Sequence, residues 1–112
     1  MILETPPIKK LNLILNGDVK DKQYEGEGTY RLQDSKVNFY PYWAHDDDKH
    51  AIWFSKEVST WVIGHKSDLG SDNGGIVAPF GEDKWPNKIF RGWKYYNSVE
   101  LALAGPRDII LQ

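Results

Sequence analysis

The chain has 112 residues, 40% of them apolar and 13% aromatic (five Trp, six Tyr, four Phe), with a net charge of −2 and no cysteine. That length makes one domain, residues 1–112, able to bury roughly 65% of its unfolded surface. The absence of cysteine excludes disulfides, thiolate metal sites and a cysteine nucleophile, and the scattered basic residues argue against a nucleic-acid partner. No apolar run approaches the ~18 residues of a membrane span, and MILETPPIKK lacks the charged and apolar regions of a signal peptide, so the compartment stays open.

In chain order, residues 1–10 read as an extended lead holding Pro6-Pro7. Leu11 to Leu15 is a short strand ended by the turn signal Asn16-Gly17. Asp18 to Gly26 is charged and reads as loop. Gly28 to Leu32 alternates as a strand, and Gln33 to Lys36 reads as a turn. Val37 to Ala44 is an aromatic strand in which Pro41 removes one ladder bond, which points to a sheet edge or a bulge. The stretch His45-Asp46-Asp47-Asp48-Lys49-His50 reads as a polar, solvated loop.

Ala51 to Gly64 is the organising hairpin, two runs of Ile, Val, Trp and Phe around a polar break. A three-residue loop, Lys56 to Val58, sets Trp53 against Trp61 and Ala51 against Ile63; a loop one residue longer or shorter changes the pairing. Both faces carry apolar bulk, so cover on both sides is expected. His65 to Gly75 is a turn-rich connection, Ile76 to Phe80 a brief strand, and Gly81 to Asn87 a loop with Trp85-Pro86. Lys88 to Arg91 is ambiguous. Gly92 to Tyr96, Val99 to Leu103 and Asp108 to Leu111 complete the strands, with Gly105-Pro106 as a break. About eight short strands without helical periodicity predict an all-β domain, a small antiparallel sandwich or partly open barrel.

Read together, Gly28-Thr29-Tyr30, Val37-Asn38 leading to Pro41-Tyr42-Trp43, Ala51-Ile52-Trp53, Trp61-Val62-Ile63-Gly64, Leu69-Gly70, Gly74-Gly75-Ile76, Trp85-Pro86 and Gly92 to Tyr96 form a pattern. It resembles an uncharacterised small aromatic-rich β module of eukaryotic and environmental proteins, found singly or in tandem. The resemblance covers about residues 26–97, with strands 11–15 and 99–111 flanking that core. It implies a non-catalytic interaction domain. Phe39 departs from it, standing where such modules usually have glycine.

The aromatic set holds the candidate site. Most rings belong in the core, but neighbouring strand residues face opposite ways, so Tyr42-Trp43 and Tyr95-Tyr96 must leave rings outside unless both faces are covered. Trp85, Tyr96 and one of Tyr42 and Trp43 are the expected surface rings, with Asp72 and Asn73 as hydrogen-bonding partners. The leading expectation is a binding module for a protein or an extended ligand. The alternative is a carbohydrate-binding module in which Trp85, Tyr96 and Trp43 stack on sugars, and a small hydrolase ranks lowest. Neither the His45–His50 run nor Asp68 to Gly74, a poor copy of a calcium loop, supplies a convincing metal site. No cofactor and no catalytic residue is expected. The apolar ends, LNLIL and DIILQ, leave homodimer pairing through edge strands open.

Overall fold

The computed structural model describes residues 6–79 and 84–112. The first five residues of the lead, Phe80 at the end of the predicted Ile76–Phe80 strand, and 81–83 of the next loop lie outside them. The described residues form nine strands: β1 Lys10–Leu15, β2 Gly28–Val37, β3 Tyr40–His45, β4 His50–Ser55, β5 Thr60–His65, β6 Ile76–Val77, β7 Lys94–Tyr96, β8 Leu101–Leu103 and β9 Ile109–Leu111. All neighbours are antiparallel, in the order β8-β7-β6-β5-β4-β3-β2-β1-β9. The all-β expectation therefore holds.

The order itself dictates the shape. Strands β8 and β9 end opposite sides of the sheet, yet only six Cα steps separate Leu103 from Ile109. Those steps span at most about 22 Å. A flat sheet of nine strands would set its edges about 38 Å apart. The sheet must curl, as in a partly open barrel, and helix α1, Gly17–Gln23, bridges the curl. Its Val19 is buried, its Asp18 accepts the Tyr95 hydroxyl, and Gln23 Nε2 donates to the Tyr96 carbonyl at 2.8 Å. This stretch was expected to be loop. Its short apolar face is one residue, so no helical period shows in the sequence; docking on β7 supplies what periodicity does not.

The concave face holds the main core. Leu11, Leu13 and Leu15 of β1 point into it, with Tyr30, Trp43, Ile52, Phe54, Trp61 and Ile63. Trp61 meets Trp43 edge-on at 5.7 Å, Phe54 at 5.5 Å and Tyr40 at 5.6 Å. Trp85 lies 6.0 Å from Trp61 and 6.2 Å from Trp43, and is only 8% exposed. The Trp85 ring turns into the barrel because the hollow side of a curled sheet takes large rings.

The β4–β5 pairing differs from the expected register. The loop has four residues, Lys56 to Ser59, and Trp53 pairs with Val62, Phe54 with Trp61 and Ile52 with Ile63. Trp53 and Trp61 therefore lie on opposite faces of the hairpin. One extra loop residue is enough, since a one-residue slip inverts a strand's faces. Both faces are covered, as expected. On the convex side Ala51, Trp53 and Val62 pack with Val37, Tyr42 and Leu69.

Two further corrections concern β2 and β3. Residues 33–36 are not a turn. They belong to β2, whose register shifts between Leu32 and Lys36. The turn is instead Asn38-Phe39, inside the predicted Val37–Ala44 strand, with φ of 53° and 73° between the paired Val37 and Tyr40. Pro41 sits in an interior strand, opposite Lys36 at a bulge in the ladder, the second of the two settings expected for it.

Two positive φ values mark a two-residue hairpin turn whose second position favours glycine. Phe39 holds that position while 84% exposed, so its ring gains little from burial. Phe39→Gly should therefore raise stability by about 1 kcal/mol. Urea unfolding of the two proteins measures this, and an unchanged or lower midpoint would show that the Lys56 ammonium, 5.9 Å from the ring, compensates the strain.

Candidate functional site

An open cleft of about 410 Å³ lies beside the β4–β5 hairpin. Register builds it: His50 is directly across from His65, at the open end of the two strands. Their rings lie 4.8 Å apart and 32° from parallel. Asp68, Asn73, Gly74 and Gly75 of the 66–75 connection form a second wall, and Gln23 and Tyr96 a third. A smaller hollow of about 290 Å³ shares Gln23, Gly26, His50 and His65 and runs on to Tyr24. Two exposed phenols, Tyr96 and Tyr24, thus border the imidazole pair.

The connection lies over the convex face because Trp53 Nε1 donates to the Ser71 carbonyl at 2.8 Å. Asn38 Nδ2 also donates to the carbonyls of Phe54, 2.8 Å, and Gly70, 3.0 Å. Gly64 and Gly74 permit the approach, since a Cβ on Gly64 would stand 2.8 Å from Gly74 Cα. Gly75 likewise leaves room for the Gln23 amide.

His50 is only 7% exposed, and Asp47 sets its orientation. Asp47 Oδ2 sits 2.8 Å from His50 Nδ1, while Oδ1 accepts the Lys49 amide at 2.7 Å and the His50 amide at 3.2 Å. With Nδ1–H given to Asp47, the neutral ring keeps Nε2 as its acceptor. No described residue hydrogen-bonds to that nitrogen. His45 packs against Tyr30 at 4.8 Å, and its Nε2 bonds the Glu27 carbonyl at 2.8 Å. The polar run 45–50 is therefore exposed only in its middle. Its two histidines end β3 and begin β4, and their rings turn inward.

Burial pushes the Asp47 carboxyl up, but the Lys49 amide, the His50 hydrogen bond and the charges of His45 and His50 outweigh it and hold it below the usual carboxylate range. Burial, then the Asp47 charge, raises the Tyr30 phenol, whose hydroxyl donates to the Gly26 carbonyl. Because the folded value of Asp47 is lowered, its stabilisation is complete above about pH 3.9 and is lost as pH falls through the folded value. Asp47→Asn should flatten the acid side of the stability profile. Urea unfolding at pH 2–5 measures it, and a slope equal to wild type would show that Asp47 does not carry the effect.

Of the six candidate residues, the cleft takes Tyr96 and Asn73. Asp72 is exposed beside it, and Tyr42 is half-buried against Trp53's face. Trp43 is wholly buried, with its Nε1 on the Ile8 carbonyl at 2.7 Å. Neither Trp43 nor Trp85 can offer a ring face to a ligand, because each is spent in the core. Asp18 is hydrogen-bonded to Tyr95, whose phenol it raises, and Glu27 accepts the Leu15 amide. The His50–Asp47 pair meets one requirement of a hydrolase, but Ser71 Oγ, one of two serine hydroxyls in the 66–75 connection, is bonded to the Asp68 carbonyl.

Sequence reasoning did not single out His50, His65, Gln23, Asp68 or Tyr24 as a group. One signal was available: histidines at both outer ends of the hairpin, symmetric about its loop. No protein family matches the chain, and no curated protein or solved structure is significantly similar to it.

Proposed function

We propose that this chain is a non-catalytic binding module whose ligand is a polyhydroxylated, carbohydrate-like group held in the His50–His65 cleft. The carrying observation is His50, nine-tenths buried, oriented by Asp47, with Nε2 left as an acceptor at the cleft. An acceptor fixed this way suits a hydroxyl donor. Asn73, Asp68 and Gln23 add short-range hydrogen-bonding groups, and the half-exposed Tyr96 adds an apolar ring face with a polar edge. Mixed acid and imidazole lining favours a neutral ligand over a strongly charged one.

The broader expectation, a protein or extended ligand met through exposed rings, is supported by Tyr96 continuing onto the exposed face of β7–β8.

All five tryptophans are buried, so their fluorescence is a poor reporter. Titration of the isotope-labelled protein with a panel of neutral mono- and disaccharides, read by amide shifts, is the test. Shifts should appear at His65, Asn73, Gly75 and Tyr96, and Tyr96→Ala should weaken binding at least tenfold. No shift at these amides with any sugar of the panel would overturn the carbohydrate reading.

A further inference from the structure

The cleft and β8 share a neighbour, Tyr96, but β8 raises its own question. It ends the sheet. The pairs Tyr95–Ala102, Lys94–Leu103 and Tyr96–Leu101 set its register on β7. The bonds Ala104 N–H to the Trp93 carbonyl, 2.9 Å, and Asn97 N–H to the Glu100 carbonyl, 3.1 Å, fix which residues turn inward. By alternation, the N–H and C=O groups of Leu101 and Leu103 point away from β7. No described strand pairs with that side.

Edge strands are normally blunted by charge, proline or a bulge. Leu101 to Ala104, LALA, has none of these. Leu103 is 68% exposed, Leu101 44%, and Val99 and Tyr96 share the open surface. The other edge differs: β9 buries Ile109 and Leu111 and lies against the 84–93 connection.

We propose that β8 is a strand-addition site for an extended segment of another protein. That segment would be apolar at alternate positions, with a carboxylate to meet Lys94. Three features select this occupant. The outward backbone of Leu101 and Leu103 asks for a strand rather than a helix. Lys94 lies on the same exposed face as Tyr96 and has no ion-pair partner among the described residues. A symmetric β8–β8 contact would use three residues from each copy, far short of the roughly 1,600 Å² of a stable dimer.

The test is selection of a random twelve-residue peptide library on the whole chain, followed by affinity measurement against Leu103→Pro. Proline there removes an outward N–H and no bond to β7. Leu103→Lys is a second variant, which keeps every backbone group. Selected peptides should alternate apolar residues around an acidic one, protect the Leu101 and Leu103 amides from exchange, and bind both variants at least tenfold more weakly. Peptides without that alternation, or with equal affinity for either folded variant, would overturn the proposal. So would a concentration-dependent dimer abolished by Leu103→Lys, which would make a second copy the occupant. Sugar binding in the cleft is not expected to change in either variant, so the two readings fail separately.

Discussion

Trp61→Ala should cost about 3–5 kcal/mol, more than any other single change considered for this chain. The ring is fully buried at the centre of the concave face. It touches Tyr40, Trp43, Phe54 and Trp85, and its Nε1 donates to the Lys84 carbonyl at 2.7 Å. Alanine would leave a cavity ringed by aromatics that cannot all collapse into it. Trp43, for one, is held by the Ile8 carbonyl. The indole bond also anchors the connection that brings Trp85 inside, so its loss loosens two layers at once. For a domain of this size the melting temperature should drop by about 15–30 °C. Urea unfolding by far-ultraviolet circular dichroism, with near-ultraviolet signals for ring packing, reads the effect. A loss below 1 kcal/mol would mean that Trp61 is not the centre of the core.

Gly74→Ala is the second large effect, expected at about 2–3 kcal/mol. Its Cβ would fall on Val62 Cγ1 and lie 2.9 Å from the Ile63 carbonyl oxygen. Backbone cannot yield as a flexible side chain does, so the 66–75 connection must lift from the hairpin. That movement uncovers Ala51, Trp53 and Val62, strains the Trp53–Ser71 bond, and displaces one wall of the cleft. Stability and the near-ultraviolet signal should fall together. Wild-type values for both would show that the connection does not rest on β5 as described. Gly75→Ala is the milder companion. The new methyl would meet the end of Gln23, a flexible side chain, so it should move the cleft wall with less cost to the fold.

The two variants separate what each glycine does. Gly74 allows one backbone to lie on another, and its loss is felt by the whole fold. Gly75 allows a side chain to settle, and its loss is felt mainly at the cleft. In the sequence both read only as a turn signal. Packing partners make the difference, and these come from β5 for Gly74, eleven and twelve residues away, and from α1 for Gly75, fifty-two residues away.

Period-two patterning, ring-rich runs and turn residues are local, so the sequence alone determined the antiparallel all-β class, the positions of most strands and the two-sided burial of the Ala51–Gly64 hairpin. Three things were decided only by tertiary structure. Hairpin register turned on one loop residue and placed Trp53 and Trp61 on opposite faces. The curl of the sheet drew Trp85 inward and made a helix of 17–23. The cleft gathered Gln23, His50, His65, Asn73 and Tyr96 from four separate parts of the chain. Strand propensity acts over a few neighbours, whereas burial and site geometry depend on which distant surfaces meet, and a single sequence carries no direct record of that meeting.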